Sequence, residues 1–440
     1  MVDRRNFILQ MGSVAGAVSL SGFDAGFSSQ EFWSKLTDAQ ARTANLTAIQ
    51  AAQVEAFWVP IQQAYASSPM LINLNNGGVS PQPFMVQEAF ERYNRLANEA
   101  PSFYMWRTLD AGRESIREGL AKLGGCSPEE LSICRNTTEA LDLVIFGLNL
   151  KAGDEVILTR QDYPNMINAW KQREKRDGIV LKWINFELPI ENDSDFVDKF
   201  KAEITSRTKV IHITHMINWV GQIQPIAKIA AMAREKGILT IADSAHTFAH
   251  FEYKIPELGC DYFGTSLHKW LSAPFGTGLL YVKKDKIKDL WPLIPNQNFD
   301  SEDIRKFEAL GTRSIPTEMA IHQALDFHNG IGSDRKEARL RYLKNYWAKQ
   351  ALKIDGVKIH TSLKDEYSCA LALVSIDGVT PNDLATKLQE KYKIHVVAIE
   401  WENIKGVRIT PHVYTKIADL DRLLEGIEYV SKNRGQQAKK

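Results

Sequence analysis

The chain has 440 residues, 44% hydrophobic and 24% charged, with 54 Lys and Arg against 53 Asp and Glu for a net charge of +1. That is the composition of a globular protein with a large core, and it leaves no basic excess for a nucleic-acid partner. The 4 cysteines, Cys126, Cys134, Cys260 and Cys369, form no CxxC pair, so they read as small buried hydrophobes, neither a disulfide framework nor a zinc site.

Residues 1–25 read as an export signal. Arg4-Arg5-Asn6-Phe7-Ile8 matches a twin-arginine pattern, and no further charge occurs until Asp24. A basic amphipathic helix of a cytosolic protein is the alternative; the charge-free run after Arg5 points to export and a periplasmic protein. No later apolar run is long enough to span a bilayer, so no membrane contact is expected after export. Residues 26–70 are polar and helix-favouring and form an N-terminal helical arm. Helical spacing then covers 110–123, 138–148 and 166–176. Short aliphatic and β-branched runs at 131–134, 155–158, 179–184, 209–213, 238–242, 260–264 and 278–282 read as strands. Strands alternating with helices imply an α/β large domain over 71–330, its mainly parallel central sheet flanked by helices. A helical stretch at 318–329 leads to a smaller α+β C-terminal domain over 331–440, with strands at 371–376 and 395–399.

Parallel α/β sheets bind ligands beyond the carboxyl ends of their strands, so the residues after each strand are the candidates. After 131–134, Arg135-Asn136-Thr137-Thr138-Glu139 opens a helix whose free amides and hydroxyls suit a phosphate. Plain capping, with Thr137 or Thr138 as the N-cap, is the alternative. Asp162-Tyr163-Pro164 brings an aromatic ring to the same edge, Thr214 to Gly221 a further strand-end segment, and Asp243-Ser244-Ala245-His246 an acid. Lys269 lies in the turn between two buried strands; a stem along apolar surface with its charge in water is the plain alternative there. Lysine, aspartate, an aromatic face and a phosphate cradle together meet the needs of pyridoxal 5'-phosphate. The lysine amine takes its aldehyde, the acid keeps its ring nitrogen protonated, the aromatic ring fixes its plane and the donors hold its phosphate.

Ser266-Leu267-His268-Lys269, followed by Gly276-Thr277-Gly278-Leu279-Leu280-Tyr281-Val282 and preceded by Asp243-Ser244-Ala245-His246, resembles the class V aminotransferase family of fold-type I pyridoxal phosphate enzymes. The likeness runs over residues 71–430. It implies that Lys269 binds the cofactor, Asp243 pairs with the ring nitrogen and Tyr163 stacks on the ring, where many relatives have histidine. It implies Thr137, Thr138, Ser266 and His268 as phosphate ligands, with Asn218 and His246 near the phenolic oxygen. Gly311-Thr312 resembles the segment that reaches the neighbouring subunit's phosphate, so Thr312 implies a homodimer with a shared active site. Arg408 resembles the clamp for a substrate carboxylate, a task that suits a planar fork. Asn76, in Asn75-Asn76-Gly77-Gly78, resembles the early turn beside the substrate; a plain turn explains the stretch as well.

Cysteine desulfurases of the family carry a nucleophilic cysteine shortly before that arginine, and residues 392–405 hold none. The pattern, with Tyr163 and the N-terminal arm, is nearer the isopenicillin N epimerase-like branch. The expectation is therefore a pyridoxal phosphate enzyme acting at the α-carbon of an amino acid, with Lys269 as the base. An aminotransferase or an epimerase/racemase fits, with a lyase as the alternative. Trp106, Arg107 and Trp219 are candidate pocket residues. The competing class is a metal-dependent hydrolase using His212, His215, His246 and His250 with Asp243, although no HExxH accompanies them.

Overall fold

Seven short runs build the central sheet: β1 Leu131–Cys134, β2 Glu155–Thr159, β3 Val180–Ile184, β4 Thr208–Thr214, β5 Leu239–Asp243, β6 Tyr262–Ser266 and β7 Gly278–Val282. They lie in the order β1-β7-β6-β5-β4-β2-β3. β7 alone runs antiparallel to its neighbours; the other adjacent pairs are parallel. Side chains on nearly every strand are buried on both faces, which is why these strands read as continuous apolar runs. The exposed positions are Val180 on β3, at one edge of the sheet, and Lys209 on β4. The computed structural model describes residues 28–434, so the export segment at 1–25 lies outside the described residues.

The arm forms helices α1 Ser29–Arg42 and α2 Glu55–Gln63, whose Phe32, Leu36, Phe57 and Trp58 are buried in the large-domain core. On the sheet lie α3 Thr137–Gly147 and α4 Pro164–Asp177. The small domain packs α5 Ser333–Ala351, α6 Pro381–Tyr392 and α7 Ile417–Lys432 on an antiparallel sheet of β8 Val357–Ile359, β9 Ala372–Ile376, β10 Val397–Trp401 and β11 Ile404–Ile409. Its strand order is β8-β9-β11-β10.

Three expected elements differ. The strand at 395–399 is two pieces, because Ile394–His395 pairs in parallel with Ile72–Asn73 while β10 pairs with β11, and one extended run cannot keep both partners. The helix at 318–329 is broken at Ala320 into Ile315–Met319 and Ile321–Ile331. The helix at 110–123 begins at Arg113, after a π-helical turn at Tyr104–Leu109 and a tighter turn at Asp110–Gly112.

Two close approaches bring the parts together. A hairpin of Met216–Ile217 and Gln222–Ile223 turns at Gly221, whose φ is +77° and whose added Cβ would stand 2.3 Å from the Leu371 carbonyl oxygen. Only glycine lets this turn slide under the small domain. The chain near residue 75 joins the small sheet as well, with Thr410 N–H donating to Leu74 O at 2.7 Å.

Candidate active site

The N-terminus of α3 and the end of β6 make one pole of the site. Asn136 is the N-cap, its Oδ1 accepting from Glu139 N–H at 2.9 Å, so the expected cap at Thr137 or Thr138 is corrected to Asn136. The correction frees both hydroxyls. Thr137 Oγ1 lies 2.7 Å from Ser266 Oγ, which also accepts from Thr137 N–H at 3.0 Å. Thr138 Oγ1 accepts from Asn165 Nδ2 at 3.3 Å. Gly278, opposite both Cys134 and Ser266 in the sheet, makes this contact possible, since a Cβ there would lie 2.6 Å from the Asn136 backbone. His268 donates through Nδ1 to Thr277 O at 3.0 Å and turns toward the same pole. Hydroxyls grouped at the positive end of a helix dipole suit a phosphate.

Asp243 makes the opposite pole, at the register position between Thr214 and Gly264. It is 3% exposed, and burial pushes its carboxyl up while the Ala245 N–H and the Lys269 charge pull it down. Beside it lies Asp162, fully buried, whose carboxylate accepts from Thr214 Oγ1 at 2.7 Å and from Thr159 N–H at 2.7 Å. Burial pushes Asp162 up to about 7. This tie fixes the loop that sets Tyr163, the residue before α4, on the rim with its ring 42% exposed.

Lys269 is between the poles. Its Nζ lies 3.1 Å from His246 Nε2. Burial pushes the amine down to about 8, against the pull of Asp243, and the Arg408 charge adds to the push. His246 is held well below its ordinary value, first by burial and then by the Lys269 and Arg408 charges, so its ring is neutral. Arg408 comes in on β11 and donates through Nη1 to Asn218 O at 2.9 Å and through Nη2 to Asn75 Oδ1 at 2.9 Å. Burial lowers the guanidinium to about 10, so it stays charged at neutral pH. Among the described residues it has no carboxylate partner. A buried cation bonded only to neutral acceptors is costly unless an anion arrives to meet it.

A cavity of about 300 Å3 brings together Thr137, Thr138, Tyr163, Asn218, Asp243, His246, Ser266, His268 and Lys269. Three polar atoms at or beside it, Asn218 Oδ1, His246 Nδ1 and Arg408 Nε, are buried without a partner in the chain. Arg408 does not itself line the cavity, but its charge reaches Lys269 and His246, and unpaired buried groups clustered around one polar cavity fit a ligand with donors and acceptors of its own. The phosphate pole, the acid pole and the amine between them fit pyridoxal phosphate.

Other expected residues lie elsewhere. Asn76 is fully buried, and its side chain bonds Asn73, Thr410 O and, at 2.6 Å, the Tyr414 hydroxyl. It frames the turn, and its neighbour Asn75 is the one that meets Arg408. Thr312 is exposed and away from this cavity, as are Trp106 and Arg107. Trp219 stacks on Trp401 with centroids 5.2 Å apart. The histidines of the metal reading go to separate partners. His212 accepts from Trp170 Nε1 at 3.4 Å, His215 lies 3.3 Å from Ser244 Oγ, and His250 bonds the His246 carbonyl. Asn75, Asp162 and Thr214 lie in segments read as site-bearing, but nothing in the sequence marked a role for any of them. Asn75 differs from Asn76 only by position, and the signal for Asp162 was its place immediately before Tyr163.

The class V aminotransferase family matches residues 72–423. Isopenicillin N epimerases of Amycolatopsis lactamdurans and Streptomyces clavuligerus are 27% and 28% identical, over 85% and 84% of this chain and 99% and 98% of theirs. A probable cysteine desulfurase of Halalkalibacterium halodurans is 28% identical over 86% of this chain and 97% of its own. Among solved structures, a cysteine desulfurase of Escherichia coli superposes with a TM-score of 0.75 at 21% identity, covering 85% of this chain and 98% of its own. A cystine C–S lyase in complex with cysteine persulfide gives 0.74 at 20% identity, covering 81% and 97%. These two likenesses show the shared fold. The chain belongs to the class V aminotransferase family and is a pyridoxal phosphate-dependent enzyme of fold type I.

Proposed function

We propose that this enzyme epimerises or racemises an α-amino acid by moving a proton at its Cα. The observation that carries the proposal is the Lys269 amine, buried in the cavity, 3.1 Å from a neutral His246 and held at about 8. An amine near neutrality gives up and takes back a proton with little cost in either direction. Bound pyridoxal phosphate supplies an aldehyde that captures the substrate amine and a ring that takes up the electron pair left at Cα.

The chain's own groups do the rest. Arg408, charged and without a carboxylate, would receive the substrate carboxylate on its planar fork. Thr137, Thr138, Ser266 and His268 would hold the phosphate, and Asp243 the proton on the ring nitrogen. Tyr163 puts a second proton-bearing group on the cavity rim, as inversion of a carbon requires delivery to the face opposite removal. Sulfur extraction lacks its nucleophile. Among the described residues none of the cysteines lines the cavity, and burial pushes the Cys369 thiol up to about 12. The epimerases among the relatives, matched over nearly their whole length, support the same reading.

The proposal extends to a homodimer in which the exposed Thr312 meets the neighbouring subunit's phosphate, and to periplasmic export of the folded enzyme. The chemistry is tested by incubating the cofactor-loaded protein in deuterated water with L- and D-amino acids and no keto acid. The expected result is deuterium at Cα with inversion of configuration and an unchanged cofactor. A released keto acid with the cofactor in its amine form would make the enzyme an aminotransferase. Release of the substrate's β-substituent would make it a lyase. Either result overturns the proposal.

A further inference from the structure

We infer that His250 is a positioning residue, which holds Lys269 and His246 against each other from behind the cavity. The inference rests on the reading of Lys269 as the cofactor lysine. It concerns a side chain that touches neither cavity ligand nor substrate.

His250 is 1% exposed, 4 residues after His246. Its Nδ1 lies 2.6 Å from the His246 carbonyl oxygen. A carbonyl only accepts, so Nδ1 carries the proton. Its Nε2 lies 3.0 Å from Ala370 N. A backbone amide only donates, so Nε2 is bare. The two bonds together select one neutral tautomer. The ring also lies flat on Trp270, with centroids 3.6 Å apart and planes at 11°. Trp270 stacks in turn on His412 at 5.6 Å and 12°. One imidazole thus holds the backbone of His246 and the side chain next to Lys269, the two ends of the 3.1 Å contact between Nζ and Nε2.

The surroundings keep the ring neutral. His246 faces it from its own segment, Lys336 and Arg341 from α5, and His412 from beyond Trp270. A proton on Nε2 would break the bond from Ala370 and add a charge near the Lys336 amine, which bonds Trp270 O and lies 3.4 Å from His328 Nδ1. Ala370 lies just before β9, so the small domain is connected to the lysine through this ring.

The test is a pH titration of the holoenzyme, followed by the near-visible absorbance of bound pyridoxal phosphate, in wild type, His250→Phe and His250→Gln. Phenylalanine keeps a ring on Trp270 and loses both hydrogen bonds. Glutamine keeps an amide able to make the bonds and loses the stack. For His250→Phe the midpoint moves by about one pH unit, a tenfold change in proton affinity, and kcat falls about tenfold with KM unchanged. Glutamine restores more than half of that midpoint change. An unmoved midpoint in His250→Phe overturns the inference, because a packing role alone would survive the exchange of one flat ring for another. If His250→Phe does not fold, wild-type holoenzyme labelled with nitrogen-15 in histidine decides. His250 must then stay neutral and protonated at Nδ1 across about pH 5 to 9, and any other state overturns the inference. Borohydride reduction and peptide mapping of wild type stand apart from these outcomes. Cofactor fixed on a lysine other than Lys269 overturns the reading beneath the inference, whatever the variants do.

Discussion

Replacing Arg408 by glutamine separates binding from folding. The guanidinium is 7% exposed, and its drop to about 10 is a statement about stability. Holding it charged at neutral pH costs the empty protein on the order of 3 kcal/mol. Glutamine removes that cost and forfeits two charge-assisted hydrogen bonds, to Asn218 O and Asn75 Oδ1, at about 1.5 kcal/mol each. The two nearly cancel, so the thermal midpoint of Arg408→Gln should stay close to wild type. Substrate binding has no such compensation. Removing one partner of a buried charged pair costs about 2–5 kcal/mol, so kcat/KM for an amino acid falls by a factor of about 30 or more. Steady-state kinetics with an amino acid and with the matching amine lacking its carboxylate make the assay. The loss should be confined to the amino acid and carried by KM. Lys269 reports independently: removing a nearby like charge lets its amine rise from about 8, so the acid limb of the rate profile moves to higher pH. An equal loss for both substrates, or a protein destabilised by several kcal/mol, would refute the reasoning.

Lys269→Met should abolish turnover and borohydride fixation of the cofactor while stabilising the cofactor-free fold. The lysine is depressed from 10.5 to about 8 in the folded chain, so the unfolded chain binds more protons between those values. Wild-type stability therefore rises with pH through that window; below it the variant should be more stable by roughly 3 kcal/mol, read from urea unfolding at several pH values. Gly221→Ala puts a Cβ 2.3 Å from Leu371 O at a left-handed residue and should cost about 2 kcal/mol or more in the same unfolding assay. Changing both Arg4 and Arg5 to lysine should leave the protein in the cytoplasmic fraction, while unchanged periplasmic recovery would dismiss the twin-arginine reading.

Legibility followed burial. Strands buried on both faces leave unbroken aliphatic runs, so β1 and β7 could be bounded to the residue from sequence. Among the cavity residues, Asp243 stood out directly after the run at 238–242, and Lys269 in the turn between the runs at 260–264 and 278–282. The site was not legible where neighbours share a chemistry. Asn75 and Asn76 are identical in type, and the turn that sends one amide to Arg408 and the other into the frame is set by Tyr414 and Thr410, more than 330 residues away. Asn136, Thr137 and Thr138 are all competent caps, and the choice among them depends on Ser266 arriving from β6. Val396 hides a change of partner between two strands that no local pattern records.

The hairpin ahead of Arg408 is a tight turn between β10 and β11, with Glu402 at a φ of 50°. Trp401 Nε1 donates to Arg160 O at 2.8 Å, Asn403 Nδ2 to Phe186 O at 3.0 Å, and Gln161 Nε2 to Asn403 Oδ1 at 3.1 Å. Trp401 also stacks on Trp219, with planes at 21°. The loops so joined are those that carry Tyr163 and Asn218. These four contacts tie the turn to the loops beside the cavity. They fix Arg408, Tyr163 and Asn218 relative to one another, as proton transfer at a single carbon demands. The hairpin thereby sets the alignment on which the proton transfer proposed here depends.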